Sequence, residues 1–275
     1  MNTCVLLVGH GSRNQAGNDE IQEFKQQWQA IHPDWRIELC YIELAEVLLD
    51  EGLRRAAQGA DKVIVVPLIL SAAGHVKAEI PEHIEEAREQ FPDVQFIYAP
   101  HIGANEDILK ILKTSLKGVL KTLSMPDPKT TGVIVLGRGS SDRVANGELA
   151  KLARWLYEDT EHELVDVAFT GITHPRLEAA VQRQVKLGMT QIAILPYYLF
   201  TGLLIERIAR QVERLQIQYP QIAFVCGNYF GFDKRIFELL DQRVAEAADP
   251  VAPRMLECDG CQYREQAMRH DHHHH

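Results

Sequence analysis

The chain reads as one sequence written twice. Val8-Gly9-His10-Gly11-Ser12 lies against Leu136-Gly137-Arg138-Gly139-Ser140 at an offset of 128 residues. At the same offset Asn18 falls on Asn146, Phe91-Pro92 on Tyr219-Pro220 and Gly103 on Gly231, while Val65–Leu70 falls on Ile194–Leu199 at 129. A period this long implies two similar domains rather than a solenoid of short units. A length of 275 residues holds two ordinary domains.

Within each half the same pattern recurs. A short apolar run (Cys4–Val8, or Val133–Leu136) has the length and β-branching of a buried strand, and it ends in a Gly-rich turn. A helical segment follows, with apolar residues at Ile21, Phe24, Trp28 and Ile31. Further apolar runs follow at Ile37–Ile42, Val63–Leu70 and Val94–Tyr98. Strands alternating with helices predict an α/β fold of two similar lobes, each a parallel sheet flanked by helices. The expected division is a lobe over 1–124, a proline-broken linker over 125–131, a second lobe over 132–245 and a flexible tail over 246–275. The polar character of that tail begins at about Asp241.

Composition narrows the function. Hydrophobic residues make up 46% and charged residues 24%, as in a globular protein. With 29 Lys+Arg against 38 Asp+Glu the net charge is −9, so a nucleic-acid partner is not expected. The longest apolar stretch, Val63–Gly74, falls far short of the roughly 20 residues that a membrane span needs. The N-terminus lacks the basic and cleavage regions of a signal peptide. Five cysteines, three of them scattered (Cys4, Cys40, Cys226), point to a reducing, cytoplasmic setting.

Functional groups in open α/β sheets gather at the carboxyl ends of the strands. His10 follows the first strand, Glu43 and Glu46 the second, and His75 the third. Two imidazoles with a carboxylate suit a labile divalent metal or a proton-accepting pair. Each residue also has a structural reading: a helix cap, a solvated helix acid, a glycine turn. The second half acts as a control. There His10 becomes Arg138, Glu43 becomes Gly171 and His75 falls near Leu203, while the glycines, the serine and the prolines are kept. A scaffold role would predict their retention, so the candidate chemistry belongs to the first half.

The segments LVGHGSRNQAGND, ELAE and VPLILSAAGHVKAEIPEHI resemble the sirohydrochlorin chelatases of the CbiX/SirB type, over about residues 1 to 245. That resemblance implies two lobes facing across a cleft and insertion of a divalent metal, Co²⁺ or Fe²⁺, into sirohydrochlorin. It implies that His10 and His75 bind the metal and that Glu43 assists, with Glu46 its alternate. Val47 departs from the family, many of whose members carry proline after ELAE. Removing two pyrrole protons and delivering a partly dehydrated ion is work for imidazoles and a carboxylate. The polycarboxylate substrate calls for cations, for which Arg13, Lys77, Arg138 and Arg143 are the candidates. A duplicated chain can supply both lobes of a cleft, so either a monomer or a homodimer fits.

Other readings are a non-enzymatic metal or tetrapyrrole carrier on the same fold, and a phosphoryl-transfer or hydrolytic enzyme using His10 and Ser12. Against the last, no GxSxG elbow, P-loop or Arg-His-Gly signature is present. The tail carries a lone Cys-x-x-Cys, Cys258 and Cys261, then His270 and His272 to His275. The resemblance implies an iron–sulfur centre at the cysteine pair, a redox dithiol being the other reading. Two cysteines cannot complete a four-cysteine cluster alone. The terminal histidines, interrupted by Asp271, read as a native metal-collecting end, a purification tag being the other reading.

Overall fold

A computed structural model describes residues 2–248. The first repeat runs β1 (Thr3–Gly9), α1 (Gln15–Ile31), β2 (Arg36–Tyr41), α2 (Leu49–Ala57), β3 (Lys62–Pro67), a π-helical turn His75–Glu79, α3 (Ile80–Gln90), β4 (Gln95–Tyr98) and α4 (Glu106–Leu120). The second runs β5 (Thr131–Gly137), α5 (Arg143–Glu158), β6 (Val165–Phe169), α6 (Leu177–Lys186), β7 (Gln191–Pro196), α7 (Leu203–Gln218), β8 (Ala223–Cys226) and α8 (Lys234–Ala248). Two four-stranded sheets result, in the orders β2-β1-β3-β4 and β6-β5-β7-β8, every pair parallel. No described helix is long and apolar enough to cross a membrane.

The central strands are buried on both faces, which is why they read as unbroken apolar runs and not as alternation. The third run, expected to reach Leu70, ends as a strand at Pro67, although the Leu68 amide still donates to the Val8 carbonyl at 2.9 Å. α1 is capped by the Asn14 side chain, which accepts from the Ala16 amide, and it buries Ile21, Phe24 and Trp28. Ile31, expected on that stripe, lies in the last turn past the buried positions and is 53% exposed.

Packing divides the chain elsewhere than the repeat does. One compact unit runs to Gly103 and includes α8 from Ile236; the other is Ala104–Arg235. α4 packs on α5, β7 and β8 within the second unit. Within the first, the Phe237 ring of α8 stacks on Phe24 at 4.1 Å. Asp241 Oδ1 accepts from Trp28 Nε1 at 2.8 Å and lies 2.7 Å from His32 Nε2. Arg243 donates to the carbonyls of His101 and Ile102, each at 3.2 Å. The polar tail expected from about Asp241 is therefore helix as far as Ala248: Asp241 is a fastening residue, and Val244 beyond it is buried. α4 and α8 are corresponding helices of the two repeats, and each completes the unit built mainly from the other repeat.

Candidate active site

The turn after β1 is built by residues that both copies keep. Gly11 has φ 87°, and a Cβ there would strike the carbonyl oxygen of Glu43; Gly139, with φ 86°, stands in the same relation to Gly171. Only glycine satisfies both demands. The Ser12 amide donates to Asn18 Oδ1 and Asn18 Nδ2 returns a bond to the Ser12 carbonyl, both at 2.9 Å. Ser140 and Asn146 repeat this clasp at 2.9 and 2.8 Å. Ser12 Oγ accepts from the Asn14 amide at 3.0 Å, as Ser140 Oγ does from Asp142. A role in the turn thus accounts for the serine in both copies.

On this shared turn the first copy places different chemistry. The ladder runs on past the strands: the amide of Ile42 donates to the Gly9 carbonyl at 3.0 Å and that of Glu43 to the His10 carbonyl at 3.1 Å. This holds the two residues side by side at adjacent strand ends. His10 Nδ1 lies 3.7 Å from Glu43 Oε1, with side chains 29% and 43% exposed, and 3.2 Å from the Gly11 carbonyl. Glu46 is exposed on the same loop. An accessible imidazole with a carboxylate at this separation can share an ion or pass a proton.

Val47 keeps one hydrogen bond of the loop but not its backbone, because it takes φ 64°, which the ring of its counterpart Pro175 cannot adopt. The Val47 carbonyl accepts from the Tyr41 amide at 2.8 Å, and that of Pro175 accepts from Phe169 at 2.9 Å. Leu44 and Ile172, also matched between copies, both take φ 61° while 46% and 59% exposed. Such backbone strain costs about 1–3 kcal/mol per residue, and nothing in the structure explains why both copies bear it.

His75 opens the π-helical turn, and the two offsets explain why that turn exists. The offset is 129 before this helix and 128 after it, so the first copy carries one extra residue in between. The helix begins at residue 74 in the first copy and at Leu203 in the second, and ends at Gln90 and Gln218. The extra residue thus lies inside the helix, and a single widened turn absorbs it. Such turns occur often at functional sites. This one falls on His75, in the one copy that has a histidine there.

Of the predicted cations, Arg13 is exposed before α1, and Lys77 is half-buried within the π turn. Arg138 is exposed at the position matching His10, and Arg143 is the exposed first residue of α5. Sequence reasoning missed a polar pair in the second copy, Thr170 Oγ1 and Tyr198 Oη, 2.7 Å apart. Burial pushes the Tyr198 hydroxyl up to about 12, against the lowering effects of the Thr170 bond and of the charges on Arg138 and Arg207. Its signal was hidden because Tyr198 sits in the Pro-containing run that both copies share. Cys258, Cys261 and the terminal histidines lie outside the described residues.

A family model named CbiX matches residues 4–119 and 132–247. A sirohydrochlorin cobaltochelatase of Priestia megaterium is 42% identical over 273 residues, covering 98% of this chain and 87% of that protein. A sirohydrochlorin ferrochelatase of the same organism is 30% identical, covering 88% of this chain and 89% of its own. Among solved structures, SirB from Bacillus subtilis with Fe³⁺ superposes with a TM-score of 0.77 at 31% identity, covering 90% of this chain and 96% of that one.

Proposed function

The chain belongs to the CbiX family, and from that membership we propose that its first repeat carries out metal insertion through His10, His75 and Glu43. The protein is a sirohydrochlorin chelatase, a lyase whose substrates are the tetrapyrrole and a divalent ion, Co²⁺ or Fe²⁺. The observation that carries the site assignment is the pairing of His10 with Glu43 on a turn whose second copy holds Arg138 and Gly171.

In this reading neutral imidazoles of His10 and His75 hold the incoming ion in place of part of its water shell. Each pyrrole N–H surrenders its proton as a metal–nitrogen bond forms, and the two protons leave through Glu43 and an imidazole to solvent. For the ring carboxylates the cations we propose are Arg13, Lys77, Arg138 and Arg143. A cytoplasmic location follows from the scattered cysteines.

The tail cysteines fit an iron–sulfur role only in part. Cys4 and Cys40 are sealed in the first core and Cys226 is half-buried, so a four-thiolate set with Cys258 and Cys261 would draw on a second chain. A brown chromophore after anaerobic purification, lost in Cys258→Ser/Cys261→Ser, is the expected sign of such a cluster.

The test of the site is metallation of sirohydrochlorin by the full chain with Co²⁺ or Fe²⁺, followed by absorbance. Many products per chain are expected, with His10→Ala and His75→Ala each slower by about a hundredfold and their circular dichroism unchanged. Parental turnover by either variant would overturn the site; one product per chain at most would make the protein a carrier.

A further inference from the structure

Away from the strand ends, the contact between α2 and α3 gathers a second set of metal-ligating side chains. His83 and Glu86 stand one turn apart on α3, and Asp50 projects from the first turn of α2. One ligand atom from each of the three lies within 4.8 Å of the others. His83 Nδ1 is 2.6 Å from Asp50 Oδ1 and 3.5 Å from Glu86 Oε2. That nitrogen is covered from solvent and has no hydrogen-bond partner among the described residues. The Asp50 oxygen is near enough to bond but lies at the wrong angle. A buried nitrogen left unsatisfied between two carboxylates is costly unless something else fills the site.

The duplication again supplies a control. At the matching positions the second copy has Glu178, Gln211 and Arg214. There Gln211 Nε2 donates to Glu178 Oε1 at 2.9 Å. An amide–carboxylate bond thus bridges α6 and α7 without any ion, with Gln211 Oε1 left buried and without a hydrogen-bond partner among the described residues. The first copy has replaced the amide by an imidazole and the guanidinium by a second carboxylate. Both changes exchange a donor-rich set for a ligand set, and the scaffold requires neither.

We propose that Asp50, His83 and Glu86 form a second divalent-metal site, separate from the strand-end site, that takes a borderline transition ion such as Co²⁺. One imidazole nitrogen and two carboxylate oxygens suit such an ion, with water completing the shell, whereas Mg²⁺ favours an all-oxygen set. The ion displaces the proton from Nδ1 and ties α2 to α3.

Acylation of His83 by diethylpyrocarbonate, read peptide by peptide in the full chain by mass spectrometry, tests this without measuring activity. Acylation needs a lone pair on Nε2. Metal on Nδ1 leaves the ring proton on Nε2 and removes that lone pair. Saturating Co²⁺ is expected to slow labelling of His83 about tenfold, and the same concentration of Mg²⁺ to leave it unchanged. Asp50→Asn and Glu86→Gln, both on the surface, should abolish the protection while His83 still labels. Labelling of His83 that is indifferent to Co²⁺, equal protection by Mg²⁺, or full protection in both variants would each overturn the site.

Discussion

His10 and Arg138 occupy the same position on the same turn, and the difference between them separates chemistry from scaffold residue by residue. Glu43 pairs with His10 from the neighbouring strand end and has Gly171 as its counterpart, so its carboxylate is dispensable to the fold. Glu43→Gln is expected to lower kcat about a hundredfold while changing the KM for metal only slightly, because the amide keeps the shape and loses the proton acceptor. A rise in KM alone, read from initial rates at varied Co²⁺, would make Glu43 a metal ligand and not a base. The buried thiols make a second residue-level prediction. Burial pushes Cys4 and Cys226 up to about 11, and Cys40 higher still. Thiolate is the reactive form, so at neutral pH these three should alkylate with iodoacetamide at least about a hundredfold more slowly than a free cysteine. Rapid labelling of Cys4 or Cys40 in the folded protein would show that the first sheet opens.

At the level of elements, strand order and helix order were legible in the sequence because buried parallel strands are continuous apolar runs, and Val63–Val66 or Val133–Leu136 have no other ready reading. Strand ends were less so: a run such as Val63–Leu70 stays apolar past Pro67, where the strand ends with no change in hydropathy. The glycine turns were legible as turns, but that Gly11 lies beneath the Glu43 carbonyl depends on two strand ends meeting, which no local pattern encodes. The π turn was written in the offsets, a step from 129 to 128, yet only the helix ends place the extra residue inside the helix. Deleting Ala78 should therefore remove the widened turn and leave a regular helix like α7. The expected variant folds with a melting temperature close to the parent's, yet loses metallation by about a hundredfold because the backbone at His75 shifts by one helical position. Parental turnover in that variant would show that the turn does not position His75.

For the whole molecule, the repeat and the packing disagree about where one unit ends, and periodicity alone could not have settled this. α4 buries Ile108, Leu109, Ile111, Leu112 and Leu116; α8 buries Ile236, Phe237, Leu239, Leu240 and Val244, the same five positions at the same offset. Two helices with one pattern fit either sheet, and the exchange shows only in three dimensions. Ending the chain before Val251 should leave the fold intact and, with metal in excess, most of the activity. Ending it at Asp233 removes α8, whose buried side chains contribute roughly 10 kcal/mol, as much as an entire domain's net stability; the first unit should then unfold in a urea titration. A chain of residues 1–124 is the more searching case. It keeps α4, which matches the seat of α8, but in the full chain the connection from Gly103 to Glu106 sends α4 into the other unit. Two such chains can satisfy each other, with the α4 of each filling the seat on its partner's sheet. Light scattering should give twice the chain mass, and Leu112→Asp should abolish both the dimer and its cooperative unfolding. A folded monomer of residues 1–124 would mean that α4 turns back onto its own sheet, and that in the full chain the presence of the second repeat, and not the short connection, draws it away.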